Sequence, residues 1–144
     1  MESHANISES RPSTADVRIR SLDPLVPPAR LVSTYPLTDA AEATVVSGRE
    51  QVEKVLAGED NRLLVVVGPC SIHDLDGARE YASKLVTLSR ELSDRLLVVM
   101  RVYFEKPRTT VGWKGFINDP HLDDSFDLET GLTWGRELLL KMVE

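Results

Sequence analysis

The sequence predicts an α/β fold with parallel strands, in a barrel or an open sheet. Three observations carry that reading. Leu63 to Val67 (LLVVV) is a continuous aliphatic run between Asn61 and Gly68, as expected of a parallel strand buried on both faces. The string Arg62-Leu-Leu-Val-Val-Val returns 33 residues later as Arg95-Leu-Leu-Val-Val-Met. Between the two runs, Ala78, Tyr81, Ala82, Leu85, Leu88 and Leu92 recur at three- and four-residue steps, the period of a helix with one apolar face. One strand plus one helix is the repeating unit of right-handed βαβ crossovers. A chance echo of two buried strands accounts for the repetition as readily as true internal duplication.

The elements follow in order. Residues 1–15 are rich in Ser, Glu, Asn, Thr and Pro without apolar periodicity and read as a disordered tail. From Val17 to Leu37, Pro24, Pro27, Pro28 and Pro36 forbid a long helix and leave an extended arm with short turns. Its apolar side chains (Val17, Ile19, Leu22, Leu25, Val26, Leu31) need a surface, either on their own domain or on a second subunit. Thr38 or Asp39 caps a helix running to Leu56, with Ala41, Val45, Val52, Val55 and Leu56 on one side and Gly58 as its stop. Residues 16–61 thus form an arm and a helix. After the first strand comes the loop GPCSIHD, then a helix from about Asp76 that ends before Asp94. The second strand leads into a loop from about Tyr103 to Ser125, and Asp127 caps a third helix that points Leu128, Leu132, Leu138, Leu139, Met142 and Val143 inward. A connection of that length far exceeds the usual βα loop of about 2 to 6 residues, and such loops are commonly functional.

Composition sets bounds. The chain has 144 residues, 42% of them hydrophobic and 28% charged, which fits one soluble globular domain. Its aliphatic runs stop far short of the roughly 18 to 20 residues that span a bilayer, and no signal-like segment opens it. Neither membrane insertion nor export is expected. The single cysteine, Cys70, excludes an intrachain disulfide and fits a reducing, cytoplasmic compartment. A net charge of −6 argues against a nucleic-acid-binding role, which needs a broad basic face.

Against that acidity, the segment Met100 to Pro120 (MRVYFEKPRTTVGWKGFINDP) reverses sign. Within Arg101 to Gly115, Arg101, Lys106, Arg108 and Lys114 stand against one acid, Glu105. Guanidinium forks and ammonium groups this dense suit a small, highly anionic ligand. Both this loop and GPCSIHD follow the C-terminal end of a strand, where α/β folds bind ligands, so the two are expected to be neighbours. Cys70 and His73 supply one or two donors to a divalent metal, short of a full site; alternatively Cys70 is a core residue and His73 a loop hydrogen-bonder. His4 and His121 show no arrangement. Asp119, Asp123, Asp124, Asp127 and Glu129 read as a solvated acidic run at a helix N-terminus.

GPCSIHD followed by MRVYFEKPRTTVGWKGFINDP, with the arm DVRIRSLDPLVPPARL, resembles type I 3-deoxy-D-arabino-heptulosonate 7-phosphate (DAHP) synthase, which begins the shikimate pathway of aromatic amino-acid biosynthesis. The resemblance covers nearly all of the chain from Asp16 onward. It implies a (β/α)8 TIM barrel with an N-terminal extension, of which residues 62–144 supply about two βα units. It implies a transferase joining phosphoenolpyruvate to erythrose 4-phosphate, with release of phosphate and a divalent metal of the Mn, Fe, Co or Zn type to polarise the aldehyde. By position, Cys70 is one of four metal ligands and Arg101 and Lys106 bind phosphoenolpyruvate. Pro107, Arg108 and Thr109 lie toward erythrose 4-phosphate. The arm implies a homo-oligomer contact and an aromatic amino-acid feedback site to which Asp16 belongs, phenylalanine favoured over tyrosine.

Two strands and three helices, the last still in phase at Glu144, do not close a barrel of roughly 250 residues. The sequence therefore reads as part of a longer enzyme, inactive alone because the remaining metal ligands and phosphate-binding cations lie in later strands. The competing expectation is a noncatalytic, phosphate-binding module that associates with full-length subunits.

Overall fold

Strand β1 (Leu63–Val67) pairs in parallel with β2 (Leu96–Met100), Leu63 opposite Leu96 and Val67 opposite Met100. Every partner lies 33 residues away, so the offset of the sequence echo is also the pairing register. The computed structural model describes residues 15, 17–19, 22–108 and 110–144. Between the strands, helix α3 (Leu75–Glu91) forms the crossover, and Asp74 caps it by accepting the Asp76 N–H.

Two helices precede the sheet. Helix α1 (Pro28–Thr34) occupies part of the segment expected to be extended. Proline is compatible with a first helical position, where its missing N–H has no intrahelical acceptor to lose, so Pro27 and Pro28 start this short helix rather than forbid it. Helix α2 (Asp39–Leu56) begins at Thr38, whose side chain accepts the Ala41 N–H, with Asp39 and Glu42 in the first turn where the helix dipole favours acids. It ends before Gly58, which has a φ of 75°. Ala41 is fully buried, but Leu56, the last residue of the helix, is 74% exposed: it keeps the apolar phase and has little packed over it.

Helix α4 (Leu128–Val143) packs against α2 and α3. The core between α3, α4 and the sheet centres on Ile72, Ala78 and Leu138, with Leu75, Val102, Phe104 and Met142 around it. Arg136 donates from Nε and Nη2 to the Tyr35 carbonyl at 3.2 and 3.0 Å, and Thr38 Oγ1 donates to Glu144 Oε1 at 3.1 Å. The arm is thereby tied to α4 at its C-terminal end. Farther out, Val17, Leu22 and Leu25 are exposed.

The strands are not buried on both faces as expected. Leu63 and Val66 are 66% and 61% exposed; three residues apart on a strand, they point to opposite faces, so each face of β1 is open. A sheet of two strands cannot enclose itself. The second strand is better covered, with Leu97 buried. Tyr81 and Leu88 on α3, and Leu139 on α4, also lie at the surface.

Candidate active site

The loop after β1 and the segment after β2 are built to approach one another. A Cβ at Gly68 would collide with the Arg101 carbonyl oxygen and stand 3.0 Å from the Arg101 Cβ, so only glycine lets the two chains pass this closely. The Arg101 N–H donates to the Val67 carbonyl at 2.8 Å and the Ile72 N–H to the Tyr103 carbonyl at 2.7 Å. These bonds continue the pairing beyond the strands. Arg101 Nη1 donates to the carbonyls of Pro69 and Cys70 at 3.3 and 3.2 Å, and its guanidinium lies 4.6 Å from the centre of the Tyr103 ring. Carbonyl dipoles and an aromatic face hold the cation without neutralising it.

Lys106 reaches back across the same gap. Its Nζ lies 3.2 Å from Cys70 Sγ, and the thiol is exposed. The Lys106 hydrogen bond and charge, with a smaller contribution from Arg101, lower the Cys70 pKa and so favour the thiolate, the form that ligates metals.

The segment from Phe104 to Phe116 doubles back as a short ribbon. Glu105 and Gly115 form an antiparallel bridge. The Lys106 N–H donates to the Lys114 carbonyl at 2.9 Å, and the Phe116 N–H to the Phe104 carbonyl at 2.6 Å. Gly115, at a φ of 119°, sits where a side chain would strike the Phe104 carbonyl. At the tip, Lys114 Nζ donates to the Arg108 carbonyl at 3.1 Å. The ribbon rests on α4: Gly131 and Gly135 are buried, and Cβ atoms there would meet the Ile117 carbonyl and the Ile117 side chain respectively. The rings of Phe104, Phe116 and Trp134 stack in series at 5.9 and 6.3 Å. The Trp113 indole N–H donates to the Asp119 carbonyl at 2.8 Å.

The DAHP synthetase I family profile matches residues 37–142. The chain belongs to that family. It is 56% identical over 125 residues to the Phe-sensitive phospho-2-dehydro-3-deoxyheptonate aldolase of Escherichia coli K12, which covers 87% of this chain and 36% of the relative. It is 54% identical over 128 residues to the Tyr-sensitive enzyme of Salmonella typhimurium, over 89% of this chain and 36% of the relative. The solved phospho-2-dehydro-3-deoxyheptonate aldolase of Francisella tularensis SCHU S4 superposes with a TM-score of 0.83 at 46% identity, over 87% of this chain and 37% of that one. The chain thus spans about a third of the length of the relatives it matches.

Of the residues the family resemblance singles out, the structure brings Cys70, Arg101 and Lys106 together. Pro107 and Arg108 are exposed on the ribbon's outgoing strand; Thr109 and Asp16 lie outside the described residues, as does His4. Cys70 is not a core residue. His73 is exposed, and among the described residues no group of three or more His, Cys, Asp or Glu could hold a metal ion.

Two sequence readings are corrected. His121 does have an arrangement: its Nε2 lies 3.4 Å from Asp127 Oδ2 and its ring meets Trp134 edge-on at 5.3 Å. Asp119 is not solvated but 2% exposed, because its carboxylate oxygens accept the N–H groups of Asp123 and Asp124, each at 3.3 Å. The sequence reading also passed over Tyr103 and Asn118. The signal for Tyr103 was its place two residues after Arg101 on an extended segment, which puts both on one face.

Ion pairs elsewhere join acids to basic groups, as in Arg62–Asp60 and Lys84–Glu80. Among the described residues none involves Arg101, Lys106, Arg108 or Lys114. In an acidic chain, cations without a carboxylate partner keep their charge for an external anion.

Proposed function

We propose that this chain supplies the substrate-gathering part of a DAHP synthase, which condenses phosphoenolpyruvate with erythrose 4-phosphate to DAHP and phosphate. The observation that carries the proposal is the convergence of Arg101 and Lys106 on Cys70 beside two further cations, none with a carboxylate partner. In this reading residues 16–61 are the arm and helix, and residues 62–144 the first βα units of a (β/α)8 barrel whose ligand face is the C-terminal edge of the sheet.

Arg101 uses Nη1 on backbone carbonyls, leaving Nε and Nη2 to grip a carboxylate or phosphate of phosphoenolpyruvate as a fork. Lys106 adds a point charge at the same ligand. Pro107, Arg108 and Thr109 take the phosphate end of erythrose 4-phosphate. Two phosphorylated molecules repel one another, so cations fixed before binding lower the cost of their approach and of aligning the enol carbon with the aldehyde.

Cys70, exposed and biased toward thiolate, is a suitable single donor to a divalent metal. The usual three or four protein donors are not gathered among the described residues, so a metal bound here would need donors besides Cys70. The same proposal includes a cytoplasmic setting and a homo-oligomer contact through the arm. It also includes feedback by an aromatic amino acid, a sensitivity for which Phe-, Tyr- and Trp-sensitive relatives are named.

The test joins these 144 residues in frame to the remaining two thirds of the Escherichia coli relative and follows phosphate release from phosphoenolpyruvate. The folded chimera is expected to form DAHP only when erythrose 4-phosphate is present. A folded chimera that forms none overturns the proposal. The 144-residue chain by itself is expected to form no DAHP.

A further inference from the structure

Glu105 is the one acid between Arg101 and Gly115. It is next to Lys106 in sequence and within four residues of Arg101 and Arg108, yet it pairs with none of the four cations. Elsewhere Asp60, Asp76, Glu80, Asp94, Asp127 and Glu137 each lie against a basic side chain. Glu105 takes a neutral partner: its Oε2 accepts from Asn118 Nδ2 at 2.7 Å.

Both ends of that bond are held in place. The Glu105 backbone is fixed by its bridge to Gly115, and the Asn118 N–H donates to the Gly115 carbonyl at 3.2 Å. Both residues are half-buried, where a carboxylate needs a hydrogen-bond donor. A neutral amide meets that need without using up a cation. We propose that Asn118 is a positioning residue that withholds the Glu105 carboxylate from the site's cations, leaving their charge for a phosphorylated ligand. The inference deepens the anion-site reading above and rests on it. A released carboxylate is a tethered competitor for the same guanidinium and ammonium groups, present at high effective concentration at all times.

Cys70 is the sole cysteine, 3.2 Å from Lys106, and therefore reports the local field. On the full 144-residue chain, its alkylation rate constant is measured at one pH with iodoacetate, an anion, and with iodoacetamide, which is neutral. The thiolate fraction cancels in their ratio, which leaves the potential that the anion feels. The ratio for the native chain is expected to exceed that of a short cysteine peptide. Asn118→Leu, similar in size but without a donor, should lower it about three-fold, the Coulombic effect of one carboxylate arriving within several ångströms in a largely aqueous setting. Asn118→Leu combined with Glu105→Gln should return it to the value of Glu105→Gln alone.

An unchanged ratio in Asn118→Leu overturns the inference. So does an equal fall in the double variant, which is what a purely structural role, or unfolding, would give. A native ratio no higher than that of the peptide overturns the anion-site reading instead.

Discussion

In the proposed reading, Arg108 serves erythrose 4-phosphate and not phosphoenolpyruvate. It stands on the outgoing strand of the ribbon, where its side chain lies along Gly112: a Cβ there would come within 3.2 Å of Arg108 Cδ. Arg101 and Lys106 are instead drawn toward Cys70. In the complete chimera, Arg108→Ala is expected to raise KM for erythrose 4-phosphate about ten-fold or more, as loss of a charge-assisted hydrogen bond does. KM for phosphoenolpyruvate should change less than about two-fold. Steady-state kinetics with each substrate varied in turn checks the split. The cations themselves were legible in the sequence because their sign runs against the composition of the whole chain, and Cys70 because it follows a recognisable strand. Asn118 and the burial of Asp119 were not legible. Each depends on which backbone N–H or carboxylate a folded ribbon brings within 3.3 Å, and neither composition nor periodicity carries that.

Helix α4 is the element on which the ribbon is seated. Alanine normally favours a helix over glycine by about 1 kcal/mol. At Gly131 the added methyl would strike the Ile117 carbonyl, and forced displacement of packed backbone costs about 1 to 3 kcal/mol. Gly131→Ala is therefore expected to lower the thermal midpoint, whereas Gly48→Ala on α2, with open space around it, should raise it; paired melting curves decide. The N-terminus of α4 makes the chain acid-sensitive. Asp127 accepts the Thr130 N–H at 3.1 Å. The Thr130 side chain first, then that backbone bond, with His121 adding less, hold the Asp127 pKa below the ordinary carboxylate value. A carboxyl depressed by folding adds stability above its unfolded pKa of about 3.9, and that stability is lost as pH falls through the folded value. Asp127→Ala should cost stability at neutral pH, and its urea midpoint should converge with that of the native chain as pH falls below the ordinary carboxylate range. The strands and the caps at Thr38 and Asp127 were readable because they are local physics. Helix α1 was missed because proline both forbids helix interiors and permits their first turn, and sequence alone did not decide between the two.

At the scale of the whole molecule, the sheet among the described residues has two strands, with no further strand paired to either edge there and Leu63 and Val66 exposed on opposite faces of β1. Open apolar strands recruit other strands. Sedimentation velocity of the isolated chain is expected to show association that grows with concentration, and Val66→Lys should suppress it without lowering the unfolding midpoint; a strictly monomeric native chain at about 100 μM would count against an unprotected β1. The α/β class and its parallel pairing were visible in the sequence from the 33-residue echo. The openness of the sheet faces was not, because an aliphatic run has the same composition whether or not a neighbour covers it.

The register of that pairing also orders events in time. Each β1 residue waits for a partner 33 positions along the chain, and 17 of the intervening residues belong to α3. A helix forms in about a microsecond from local contacts, while closing a longer loop loses chain entropy before any strand contact compensates it. The crossover helix should consolidate first and shorten the search, and the strands should zip afterward. Cys70 and Lys106, each just past the C-terminal end of its own strand, are expected to meet only once the strands have paired, so a stopped-flow signal from the thiol–ammonium contact would mark a late step of folding rather than its onset.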